Sequence, residues 1–277
     1  MNHTATLSVL MPNYNHARHL PLALEAIFSQ SRQPDQVVII DDGSTDDSLE
    51  VLEAYAARHP VIELLRNPRN LGVVENINRL IRLNTSSHAI FLAADDIILP
   101  GLFEKGMSLL SAHPRAGLCS GLIHMLREDG LDMGLMVTPL ATDQPAYLSP
   151  EDVLRQLMTE GPWIVNNTSI YRMEALIQAG GFYPQLEAFS DGFLSDVIAL
   201  SHGACFIPEA LACWRVNPKV YAYSTSGDLD RITKVMARAL ELMRTRHAAV
   251  FPRRYRDLFR RHLCKRYNPN INLPPED

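Results

Sequence analysis

Long apolar runs are missing from this chain. None approaches the roughly 18 uninterrupted apolar residues that a membrane-spanning helix needs. The opening, MNHTATLSVLMP, has neither the basic n-region nor the apolar h-region of a signal peptide, so a cytoplasmic location is expected. Cysteine is scarce: Cys119, Cys205, Cys213 and Cys264 lie far apart and form no CxxC pair. That spacing argues against a zinc site or a disulfide framework and favours reduced, buried thiols. There is no internal repeat and no low-complexity segment, which removes solenoid and fibrous architectures.

What is present suits a globular α/β protein. The 277 residues are 47% hydrophobic with a formal net charge of -5, enough for one large α/β domain or two small ones with a real core. The charge is unevenly spread. Between Arg231 and Arg266 the acids are Glu241 and Asp257, set among many arginines and lysines. Such a region suits an anionic partner, a membrane surface or a phosphorylated acceptor; equally it is a solvated helix face.

The first hundred residues alternate strand and helix patterns. Residues 7–12 (LSVLMP), 36–40 (QVVII), 61–66 (VIELLR) and 89–94 (AIFLAA) read as strands. Between them, residues 20–30, 49–57 and 73–83 carry apolar positions at helical spacing, the second with Ser44 or Thr45 as its cap. This rhythm implies βαβ crossovers and a mostly parallel sheet covered on both faces. Further helices are expected over 101–112, 150–158 (capped by Ser149), 173–179, 191–200 and 228–247. Strands are expected over 116–125 and 164–172, with two short ones in ACFIP and LACWRV. Residues 127–134 read as a turn-rich connection, and the tail past Tyr267 as frayed.

Ligands collect at the carboxyl ends of parallel strands. Three polar clusters stand at such ends: PNYN (residues 12–15), DDGS (41–44) and the Asp95–Asp96 doublet. Tyr14 offers a ring that stacks on a base, or a half-buried core ring. Asp42 offers a carboxylate to a pyrimidine edge, while Asp41 orients the Gly43 turn. Two adjacent carboxylates suit a divalent cation shared with diphosphate oxygens; alternatively they cap the following helix.

The ordered motifs SVLMPNYN, VVIIDDGSTDDS, NLGVVENIN and FLAADDIILP resemble the nucleotide-binding half of the family-2 glycosyltransferases, which have the GT-A fold. The resemblance covers residues 7–110 and continues less specifically through SIYRMEALIQAGGFYPQL and SDGFLSDVIALSHGACFIPEALACWRV. It implies a GT-A domain over 1–227, with a nucleotide-sugar half (1–98) and an acceptor half (99–227). A basic helical extension, 228–277, would follow. It further implies a nucleoside-diphosphate sugar donor (UDP by preference), a Mn2+ or Mg2+ cofactor, a sugar or glycolipid acceptor, no nucleic-acid partner, and inversion at the anomeric carbon. Carried over by motif, Pro12 and Tyr14 line the base pocket, Asn15 joins the nucleotide-sugar site, and Asp42 holds the base edge. Asn70, Gly72 and Asn78 lie near the nucleotide, Asp95 reaches ribose or metal, and Asp96 is the principal metal ligand. Asp191 is the candidate base, with Asp196 in reserve; Asp191 as a helix N-cap is the bland alternative.

Three departures stand out. Many relatives carry an acid where this chain has Ala93, and a histidine after the WR segment where it reads VNPKVYAYS, with Lys219 as a potential phosphate contact. The Gln-x-x-Arg-Trp motif of processive members is lacking, so one sugar per encounter is expected, in surface polysaccharide or glycoconjugate assembly. The rivals are a decayed nucleotide-sugar binder and a nucleotidyl transferase. PNYNHARH is not the glycine-rich loop that the latter needs. Acceptor selectivity is expected around residues 161–167. The basic C-terminal region docks peripherally at the inner face of a membrane, or packs its apolar stripe on the core or on a second subunit.

Overall fold

Four short strands build the parallel half of the sheet. They are β1 (Leu7–Asn13), β2 (Gln36–Asp41), β3 (Ile62–Arg66) and β4 (His88–Phe91), joined by α1 (Leu20–Phe28), α2 (Ser48–Arg58) and α3 (Val73–Leu83). The computed structural model describes residues 5–216 and 228–266. Lys219, the Cys264 side chain and the tail from Tyr267 onward lie outside the described residues. The order β3-β2-β1-β4 is parallel throughout, and its register sets Asn13 beside Asp41 and Leu10 beside Phe91. Polar clusters that follow these strands therefore share one rim.

Beyond β4 the sheet becomes mixed. The elements are β5 (Ile97–Ile98), α4 (Leu102–Ala112), β6 (Leu118–Arg127), β7 (Asp132–Leu135), β8 (Ala146–Leu148), α5 (Pro150–Thr159), a 3₁₀ turn (Asn166–Thr168), β9 (Ile170–Arg172) and α6 (Met173–Ala179). A second 3₁₀ segment (Pro184–Phe189), α7 (Ser190–His202), β10 (Ala204–Val216), α8 (Leu229–Arg244) and α9 (Arg253–Arg266) complete it. β9 inserts antiparallel between β4 and β6; β6 and β10 run parallel; β7, β8 and β5 add antiparallel edges. Helices α1, α2 and α4 bury Leu24, Leu52 and Phe103 in the core on one face. Helices α3, α5, α6, α7 and α8 bury Leu80, Leu157, Leu176, Phe193 and Leu240 in the core on the other. The result is a helix–sheet–helix sandwich.

Several local expectations are corrected. Ser44 and Thr45 do not cap α2, whose N-cap Asp47 makes no side-chain bond. Ser44 instead donates its hydroxyl to Asp41 at 2.5 Å, and Thr45 gives its N–H to Asn15 at 2.8 Å. Residues 164–169 are no strand, because Thr168 reaches back to the Val165 carbonyl at 2.9 Å and tightens the chain into the 3₁₀ turn. The two late strands are one, β10, which absorbs Pro208 by register shifts between Ile207 and Ala212. Residues 127–134 belong to the β6–β7 hairpin.

The basic C-terminal stretch is partly core. α8 buries Ile232, Val235, Met236, Ala239, Leu240 and Met243, the stripe its spacing gives. Beyond it, Phe251 stacks on Phe193 of α7 with ring centroids 5.6 Å apart, while Arg253, Arg254 and Arg261 remain exposed. Among the described residues no helix is long and apolar enough to cross a membrane.

Candidate active site

At the rim, Asp41 fixes the first turn. It is fully buried and accepts the Asn13 amide at 2.9 Å and the Ser44 N–H at 3.1 Å. Gly43 sits at φ 73°, and a Cβ there would come within 2.9 Å of the Arg69 backbone, so only glycine fits without displacing the loop. Asp42 ties down the facing loop: its carboxylate accepts the Asn67 amide and the Leu71 N–H, both at 2.8 Å, and the Gly72 N–H at 2.9 Å.

Between these turns and α7 opens a cleft of about 640 Å³, a volume typical of small-molecule sites. Pro12, Tyr14, Asp42, Asn70, Gly72, Asp95, Asp96 and Asp191 all line it. Tyr14 is 40% exposed, a rim ring and not a core ring. Two candidates face elsewhere. Asn15 turns its side chain to Thr45, and Asn78 staples α3 to the 181–183 turn by bonds to the Phe182 carbonyl (2.9 Å) and N–H (3.1 Å).

Asp96 is buried, and its Oδ1 accepts the Arg215 N–H at 3.1 Å while Oδ2 accepts the Asn167 amide. Burial, and then the Asp95 charge beside it, push its carboxyl up to about 7 against those two donors. Among the described residues no three His, Cys, Asp or Glu side chains cluster as a metal cage. The doublet nevertheless fits a hard divalent cation that takes one or two carboxylates and completes its shell with phosphate oxygens and water. Two adjacent acids, one of them charged with difficulty, gain most from an added positive charge.

Asp191 lies in the first turn of α7, whose N-cap is Phe189, so it is not the cap. Its Oδ1 accepts the Gly192 N–H at 2.6 Å, and burial raises its carboxyl above the ordinary range. The reserve candidate, Asp196, is not among the residues that line the cleft. It accepts the Tyr255 hydroxyl of α9 at 3.1 Å, and burial pushes its carboxyl up to about 7. A folded-state value above the unfolded one, about 3.9 for Asp, means that folding takes up a proton between those pH values. Stability therefore falls as pH rises through that window and stays lower above it. Asp196→Asn leaves Tyr255 an acceptor and removes the ionisation. It is expected to melt about 5 °C above wild type at pH 8, with the difference shrinking by pH 5. Parallel melting curves at both pH values would remove Asp196 from this role.

Three residues of the site were not singled out from the sequence. Arg215 lines the cleft and donates to the carbonyls of Asp95 (3.3 Å) and Glu128 (3.2 Å). Its signal was a charge inside the apolar run LACWRV. Asn166 and Asn167 carried only their place in the region assigned to acceptor choice.

Residues 8–177 match the family model described as Glycosyl transferase family 2. The chain is similar to the uncharacterized glycosyltransferase YibD of Escherichia coli K12, at 35% identity over 109 residues, 39% of this chain and 31% of YibD. It thus spans about a third of that relative's length. Among solved structures, S. aureus TarS 1-349 in complex with UDP-GlcNAc superposes with a TM-score of 0.73 and 17% identity over 96% of this chain and 74% of that one. The mannosyltransferase PcManGT from Pyrobaculum calidifontis, in complex with GDP-Man and Mn2+, gives a TM-score of 0.61 and 19% identity over 87% and 65%. At these identities the two structures establish a shared fold.

Proposed function

Because the chain belongs to glycosyl transferase family 2, we propose that it moves a sugar from a nucleoside-diphosphate donor, UDP by preference, to an acceptor hydroxyl with inversion at the anomeric carbon. The observation that carries this reading is the convergence of the Asp95–Asp96 doublet, Arg215 and the separate acid Asp191 on one cleft. The complexes of TarS with UDP-GlcNAc and of PcManGT with GDP-Man and Mn2+ support the donor class.

Each residue then has a task. Tyr14 stacks on the base beside Pro12, and Asp42 with Asn70 and Gly72 frames the base end. Asp95 and Asp96 would hold Mn2+ or Mg2+, whose chemistry there is to neutralise the charge that grows on the leaving diphosphate. The buried Arg215 guanidinium adds fixed positive charge on the same side. Asp191 accepts the proton of the acceptor hydroxyl as its oxygen bonds to the anomeric carbon, opposite the breaking C–O bond to diphosphate. Its raised affinity for protons makes it a stronger base than a solvated carboxylate.

The lack of a processive motif supports single additions, in surface polysaccharide or glycoconjugate assembly. The exposed Arg253, Arg254 and Arg261 suit a peripheral contact with anionic headgroups. Ala93, where relatives carry an acid, favours a second reading, a non-catalytic nucleotide-sugar binder. Thermal-shift screening of UDP- and GDP-sugars with and without Mn2+, followed by assay of nucleoside diphosphate release, separates the two. The enzyme is expected to show a Mn2+-dependent shift and release; a shift without release would favour the binder.

A further inference from the structure

We propose that Asn166 and Asn167, consecutive on the 3₁₀ turn, form one positioning device that fixes the Asp96 and Asp191 carboxylates relative to each other. The inference rests on the function just proposed. The two acids belong to distant parts of the chain: Asp96 follows the parallel half of the sheet, and Asp191 opens α7. Adjacent side chains of one turn reach both. Asn167 gives its amide N–H to Asp96 Oδ2, while Asn166 lines the cavity wall with Asp191 and is tied to it through Ser195, whose hydroxyl lies 2.6 Å from Asn166 Oδ1 and 2.9 Å from the Asp191 carbonyl.

The orientation of Asn166 is over-determined. Its Oδ1 accepts the Tyr171 hydroxyl at 2.9 Å and the Ser195 hydroxyl at 2.6 Å, and those two hydroxyls lie 2.8 Å apart. With its oxygen set against these two hydroxyls, the amide leaves its NH2 end for the Asp191 side; flipped, it would set oxygen against carboxylate. The turn itself is anchored to β6. The Thr168 hydroxyl lies 3.0 Å from both the Gly121 N–H and carbonyl, and the Val165 N–H donates to Ser120 at 2.9 Å.

The choice of amides has a chemical reason. A lysine or arginine in either place would hold its carboxylate firmly, yet would weaken Asp191 as a base and repel a cation from Asp96. An amide orients through a hydrogen bond without adding charge. Displacement at carbon needs the proton acceptor on the face opposite the leaving group, and a misplacement of about 1 Å costs roughly 100-fold. A single rigid turn that touches both groups fixes that relation better than two independent supports.

The test uses the full chain, with Mn2+ and UDP as binding probes and nucleoside diphosphate release from the UDP- and GDP-sugar panel as the chemical readout. Asn166→Ala is expected to lower kcat about 100-fold with donor KM and UDP affinity unchanged. Tyr171→Phe, which frees the Asn166 amide to flip, is expected to lower kcat about tenfold with the same split. Asn167→Ala is expected to weaken Mn2+ binding in the presence of UDP about tenfold, read by electron paramagnetic resonance of free Mn2+ without turnover. If Asn166→Ala fails to fold, Tyr171→Phe and Asn167→Ala still decide the matter. Wild-type kcat in Asn166→Ala and Tyr171→Phe, or equal losses in kcat and donor affinity, would overturn the positioning role. Should Asp96→Ala and Asp191→Asn also keep full release, or wild type release nothing from the panel, the function itself fails and the inference with it.

Discussion

Replacing Asp191 by asparagine is expected to lower sugar transfer about 10³-fold, the scale of a lost general base, while donor affinity stays within about threefold. The geometry makes this a clean substitution. An asparagine oxygen still accepts the Gly192 N–H, and the packing around the first turn of α7 is unchanged in volume. The lost helix-terminus charge, worth about 1 kcal/mol, is offset by relief from burying an ionised group. What disappears is the ability to take a proton. In wild type, burial holds the Asp191 carboxyl above the ordinary range, so transfer should fall as pH drops through that raised value, at a higher pH than a solvated acid would give. Asp191→Asn should abolish this acid limb along with the rate. Normal transfer by the variant would send the search for the base elsewhere, though not to Asp196, which does not line the cleft.

Asp96→Ala is expected to abolish Mn2+-dependent release of nucleoside diphosphate, with a loss of about 10³-fold, and to weaken Mn2+ binding in the presence of UDP. Asp96 is the member of the doublet held from both sides, by the Arg215 N–H and the Asn167 amide, so its oxygens keep fixed places. Asp95 alone supplies one carboxylate, and the absence of any third clustered ligand among the described residues leaves little to compensate. The melting temperature in the absence of metal should change little, because two lost hydrogen bonds are balanced by the removal of a buried group that repels Asp95. Undiminished Mn2+-dependent release would end the cation role of the doublet.

The centre of the parallel half was legible because β1 and β2 are buried on both faces and read as near-continuous apolar runs, while α3 and α8 show clear helical stripes. The failures have local causes. Pro208 reads as a break, yet a bulge carries β10 past it; the run IVNNTS reads as β-branched, yet Thr168 bonds its own backbone and curls the chain. In the site, residues next to strand ends were found because topology alone brings them together. Arg215 and Asn167 were not, since their importance lies in bonds to partners 71 to 120 positions away in the chain, nor was Asn166, whose Ser195 partner lies 29 positions on in another element. Asn78 and Asn15 sat in the right motifs, but their side chains serve neighbouring backbone.

Asp42 has a consequence for selectivity. A loop moored at three points to one buried carboxylate has little freedom left to surrender when a nucleotide arrives. Such a wall does not mould itself to a guest. A purine and a pyrimidine should therefore be told apart by refusal, with the misfit donor failing to bind at all, and tolerance for both should demand that these moorings be cut.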